Sequence, residues 1–64
     1  MLDLHNKRIE ELPLATARVP MDGAYRSVTG RVVAQTIESD PLLDIRLASG
    51  AIVQVRESAA QVSS

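Results

Sequence analysis

His5 is the only imidazole in the chain, and no cysteine accompanies it. Metal centres draw on clustered His, Cys and carboxylate ligands, so a site built on His5 would have to recruit distant carboxylates. No serine stands at the spacing of a nucleophile elbow, and Ser49 falls in a turn. A Ser-His-Asp arrangement through His5 therefore has no framework. Two carboxylate pairs, Glu10/Glu11 and Asp40/Asp44, invite an acid–base reading. Adjacent residues do not face each other on a helix, and an Asp before a proline, as at Asp40-Pro41, is a common turn former. Acid–base work also requires a pocket that shifts pKa values, which a domain this small rarely holds within one subunit. Gly23, Gly30 and Gly50 are too scattered to cradle a phosphate. Tyr25 is the only aromatic residue, so single-stranded nucleic acid has no stacking platform. The expectation is a chain that is not an enzyme, with no catalytic residue, no metal and no cofactor.

What remains is arginine. Six of the seven basic residues are Arg, and Lys7 is the exception. The planar guanidinium suits bidentate contacts and interfaces, although codon preference in a GC-rich genome would produce the same bias. The formal net charge is −1, so the chain as a whole does not attract polyanions.

The chain has 64 residues, room for one domain (1–64) and one core. A domain of this length buries roughly 60% of its unfolded surface and is marginally stable unless stapled. Without cysteine, neither a disulfide nor a thiolate metal site is the staple. The core must be made of Val, Leu, Ile and Ala, because Phe and Trp are missing. A thin aliphatic core argues for self-association. No apolar run approaches the ~18 residues of a membrane span. The start, Met1-Leu2-Asp3-Leu4-His5, has acidic and polar residues where a secretion signal needs bases followed by an apolar stretch. These features predict a cytoplasmic protein with no membrane contact.

Residues 3–12 are the one candidate helix. Asp3 is its N-cap, Leu2, His5, Ile9 and Leu12 form its apolar stripe, and Pro13 stops it. A first strand over 14–19 is ended by Pro20, and Asp22-Gly23 marks a turn. Residues 25–37 form a long β-branched run with Val28, Val32 and Ala34 inward and Thr29, Arg31 and Gln35 outward. Gly30 within it suggests a bulge or bend. Leu43, Ile45 and Leu47 alternate with Asp44 and Arg46 in the clearest strand, over 42–48, and 51–56 follows after a turn.

The register of that hairpin follows from its faces. A two-residue Ser49-Gly50 turn would set Ile45 against Gln54 and Leu43 against Arg56. A three-residue loop, Ala48-Ser49-Gly50 with Gly50 left-handed, sets Leu47 against Ala51, Ile45 against Val53 and Leu43 against Val55. Only the second keeps every core position apolar. One helical turn at 57–60 and a short strand around Gln61-Val62 complete the chain.

The fold class expected is mainly β: a small five-stranded, strongly bent antiparallel sheet over 14–62, or an SH3- or Sm-like barrel, with a short N-terminal helix. The spacing from Gly23 to Gly30 and the segment VRESAAQV resemble the Sm-like kind, at the level of fold alone.

The outer face of that sheet carries Arg31, Val33, Gln35, Ile37, Leu42, Asp44, Arg46, Ile52, Gln54 and Arg56. Antiparallel sheets usually show a more polar outer face, and aliphatics rimmed by arginine mark an interface. Alternatively, the N-terminal helix or barrel closure covers Val33, Ile37 and Ile52, or the arginines form a charge ladder with Asp44. The candidate partner-binding residues are Arg31, Val33, Arg46, Ile52 and Arg56. The function expected is a non-catalytic interaction module that binds a protein partner or itself. A nucleic-acid binder using Arg31, Arg46 and Arg56 on phosphates is the disfavoured alternative.

Overall fold

Alternating aliphatic and polar residues let this chain gather its apolar side chains on one face of an antiparallel sheet, which is not closed into a barrel. The computed structural model describes Leu4 and residues 8–63. Its strands are β1 (Leu14–Met21), β2 (Ala24–Gln35), β3 (Leu42–Leu47), β4 (Ile52–Arg56) and β5 (Ala60–Ser63), with 3-10 turns at Ile9–Glu11 and Glu57–Ala59. They form one antiparallel sheet in the order β4-β3-β2-β1-β5, with β4 and β5 at its edges.

Val32, Leu43 and Ile45 are fully buried, and Ala15 and Ala17 join them in the core. Leu4, Leu47, Val53, Val55, Ala60 and Val62 pack against this cluster while remaining partly exposed. Cα partners Leu43↔Val55 and Ile45↔Val53 place the hairpin's aliphatics together. The Leu47 amide donates to the Ala51 carbonyl at 2.8 Å, the Gly50 amide donates to the Leu47 carbonyl at 2.9 Å, and Gly50 has φ 91°. This is the three-residue loop with a left-handed glycine that the face pattern requires.

The β1–β2 connection is a two-residue turn with φ 52° at Asp22 and 79° at Gly23, the mirror-image geometry whose twist suits a hairpin. Pro20 does not end β1, contrary to expectation; it sits inside the strand opposite Tyr25. Met21 and Ala24 flank the turn, so the backbone groups of the next pair, Pro20 and Tyr25, point away from each other. Because β5 pairs only with Leu14 through Ala17, the side on which proline lacks a donor is a free edge.

β2 serves two neighbours in succession. It pairs with β1 from Ala24 to Arg31 and with β3 from Gly30 to Gln35. At the changeover, Gly30 is buried and leaves no room for a side chain. A Cβ there would collide with the Arg46 carbonyl oxygen and stand 2.8 Å from its carbon and 2.9 Å from Ile45 Cγ2. The bulge lies further on: the register shifts between Val32 and Ala34, leaving Val33 without a strand partner. An extra residue exchanges the faces of everything beyond it. Ala34 therefore lies opposite Asp44 and is exposed, while Gln35 lies opposite Leu43, the reverse of the inward Ala34 and outward Gln35 expected from simple alternation.

The expected helix over 3–12 is reduced, among the described residues, to the three-residue turn Ile9–Glu11; Leu2, Asp3, His5 and Lys7 lie outside them. Both flanks of the turn are extended, with ψ 157° at Arg8 and 151° at Leu12. Pro13 forces Leu12 out of helical geometry, and a segment this short does not repay the cost of nucleation. Leu12 is buried instead, and the Pro13 carbonyl accepts the Val32 amide at 2.9 Å.

Gly30→Ala is expected to destabilise the protein by roughly 1–3 kcal/mol, since the obstructing atoms include backbone that cannot rotate away. A urea titration followed by circular dichroism checks this. An unchanged midpoint would mean that β2 and β3 do not approach as closely as described.

Candidate functional site

The outer face can be read row by row from the strand pairings. One row runs Ile52–Arg46–Arg31–Leu14–Ser63 across β4, β3, β2, β1 and β5. Arg31 and Arg46 are direct Cα partners. Ile52 is 53% exposed and Leu14 39% exposed, so aliphatic side chains stand on both sides of the two cations. With Ile9, Thr29 and Leu47, Leu14, Arg31 and Arg46 line a concavity of about 460 Å3. Gly30 lines it too, so the close approach of β2 to β3 lies next to these two arginines.

Two other cross-strand polar pairs on this face satisfy each other. Thr16 and Thr29 hydroxyls are 2.8 Å apart, and Gln54 Nε2 donates to Asp44 Oδ1 at 3.0 Å. Arg31 and Arg46 do the opposite, because like charges directly across a ladder repel. Arg31 Nη1 donates to the Leu12 carbonyl at 2.9 Å, tying the N-terminal turn to the sheet. Among the described residues neither arginine forms an ion pair, and Arg46 has no hydrogen bond from its side chain. Asp44 is engaged by Gln54, so the ladder of Asp44 with arginines is not formed.

The other two candidate residues lie apart from this row. Val33 is the half-buried extra residue of the bulge. Arg56 begins on the outer face opposite Leu42, but its Nη1 turns to Glu38 Oε1 at 2.6 Å and to the Asp40 carbonyl at 2.9 Å. It belongs to a clamp. Asp40 accepts the Ser58 amide at 3.0 Å and the Ser58 hydroxyl at 2.8 Å, and the Glu57 amide donates to the Pro41 carbonyl at 2.8 Å. The Thr36 hydroxyl donates to Glu38 and accepts the Leu42 amide. The β2–β3 loop is thereby fastened to the turn between β4 and β5. Ile37, in that loop, is 88% exposed, and no described element covers Ile37 or Ile52.

Sequence reasoning missed Leu14 and Ile9 as members of the site. For Leu14 the signal was present, because Ala15, Ala17 and Val19 alternate with Thr16 and Arg18, which puts Leu14 on the polar side. For Ile9 it was not, since an assumed helix gave that residue a core-facing role.

No helix among the described residues is long and apolar enough to cross a membrane. With this geometry in view, comparison with known proteins finds no matching family model, no matching curated protein and no matching solved structure.

Two carboxylates of the clamp are more acidic than usual. Hydrogen bonds from Thr36 and then Arg56 hold Glu38 below its ordinary 4.5. The Ser58 hydroxyl and amide hold Asp40 below its ordinary 3.8. A folded-state pKa below the unfolded value means that the unfolded chain binds protons first. This stabilisation is therefore complete above the ordinary values and is lost as the pH falls through the depressed ones. The urea midpoint of the native chain is expected to drop as pH is lowered below about 4.5. Asp40→Ala is expected to be less stable than native at neutral pH, with the gap closing in acid. A gap independent of pH would show that the Asp40 carboxylate charge takes no part.

Proposed function

We propose that this chain is a non-catalytic interaction module of the cytoplasm, built on a small SH3-like barrel. It binds a protein partner, or a second copy of itself, through the outer face at Arg31, Arg46 and Ile52, with Val33 and Arg56 at its margins. Three features support the barrel: the strand order β4-β3-β2-β1-β5, a long β2 divided between β1 and β3, and the 3-10 turn joining β4 to β5.

One observation carries the functional reading. Two arginines face each other across a ladder, with no acidic partner among the described residues, between exposed Ile52 and Leu14. Arginine among exposed aliphatics is the composition of a recognition surface. The edge strands β4 and β5 add unpaired backbone to which an extended segment could add as a further strand.

A second reading, nucleic-acid binding, has the same arginines in its favour. Against it stand a net charge of −1 and a single aromatic residue.

Substitution at exposed Ile52 leaves the core intact and is expected to change stability by only about 0.5 kcal/mol. Ile52→Asp and Arg46→Glu should therefore stay folded while losing self-association, read as solution mass by light scattering, or losing the partner recovered with a tagged native chain. Native retention on a polyanion resin should vary little with salt. Mass and partner unaffected by both substitutions would overturn this choice of face. A steep salt dependence of binding to an oligonucleotide would favour the second reading.

A further inference from the structure

Within that reading, on which the present step rests, we infer that the Arg31–Arg46 notch receives a carboxylate flanked by aliphatic side chains, carried on a peptide segment of the partner. The charge to be matched is local and small. Two arginines are Cα partners at one register position and line one concavity, and Arg31 already gives one N–H to the Leu12 carbonyl, leaving its other donors and all those of Arg46 for a ligand. A planar carboxylate accepts two parallel N–H bonds from such a fork. Arg31 is half-buried, so an anion placed beside it is less screened than at an open surface.

The walls decide between anions. Leu14, Ile9 and Leu47 line the same concavity, and Ile52 extends the row past Arg46. A phosphodiester chain would need a basic track, and this row offers aliphatic surface on both sides of the cations instead. An aliphatic–acidic–aliphatic segment meets both demands at once. A free phosphate, an oligonucleotide and a second copy of the chain are the competing occupants.

The test uses the full chain labelled with 15N and two blocked peptides, acetyl-Leu-Glu-Leu-amide and its Gln counterpart. The acidic peptide should shift the amides of Thr29, Gly30, Arg31, Arg46, Leu47 and Ala48 saturably. The Gln peptide should bind at least ~10-fold more weakly, the size expected when hydrogen bonds to a charged group are lost. Arg46→Gln, at an exposed position, should lower affinity for the acidic peptide by a similar factor and leave the protein indifferent between the two.

Equal binding of both peptides by the native chain would overturn the inference. So would the absence of shifts, displacement of the acidic peptide by an equal concentration of inorganic phosphate, or shifts at these amides that appear only on dimerisation. The two claims fail separately. Loss of association in Ile52→Asp together with equal peptide binding would leave the interaction module standing and remove the carboxylate site.

Discussion

β2 reaches from one neighbour to the other by passing its backbone against that of β3, and the residue at the crossing has no side chain. Gly30 opposes both Ala15 and Leu47, and Arg31 both Leu14 and Arg46, so these two residues join the two halves of the sheet. Burial of Val32, Leu43 and Ile45 follows from the fold this makes possible. Without a large aromatic, a core of aliphatics closes only if the strands come close together. Ala15 and Ala17 on β1 serve the same end as Gly30, since small residues let neighbouring backbones approach. The outer face inherits the geometry: Arg31 and Arg46 are partners because β3 meets β2 at this point and nowhere earlier.

A thin core leaves the open end of the sheet to be held by polar contacts. The loop between β2 and β3 and the turn between β4 and β5 are far apart in sequence, and Asp40, Glu38, Arg56 and Ser58 join them. These contacts are solvent-exposed, and isolated exposed pairs contribute little. Here they form a connected set in which Thr36, Glu38, Arg56, Asp40 and Ser58 each constrain the next. Ordering one side chain therefore lowers the entropy cost of ordering its neighbour. This is a second fastening, placed where the aliphatic cluster thins toward half-exposed Val55 and Val53.

How much of this could be read from sequence depended on whether a feature was governed by neighbours in the chain or by the fold. The β3–β4 hairpin was fully legible, because only one loop length keeps Leu43, Ile45, Val53 and Val55 on one face. The Asp22-Gly23 turn was legible for a local reason, the need for two positive φ angles. Pro20 was misread because its tolerance depends on which side of β1 lacks a neighbour, a fact of topology. Gly30 was read as a bulge or bend, and the extra residue is Val33; a β-branched residue carries no local mark of being unpaired. The helix over 3–12 was inferred from apolar spacing, a cap at Asp3 and a stop at Pro13, and its described part yields to the extended geometry before Pro13 and to the burial of Leu12. Arg56 looked like a free surface cation because its partners, Glu38 and Asp40, lie 18 and 16 positions away.

The arginine pair is the place where local consistency breaks. Thr16 with Thr29 and Asp44 with Gln54 show that this face can match a polar group to the one across the ladder. An acidic residue in place of exposed Arg46 would pair with Arg31, relieve the repulsion and leave the core unaltered, because position 46 does not contribute to the buried cluster. Arg31 serves the fold by holding the Leu12 carbonyl, but Arg46 makes no such contact among the described residues, and sequences that specify a structure ordinarily break their own rules at sites of function. Under the reading proposed above, an anion between the two guanidiniums would offset that repulsion, and association would need no change of fold.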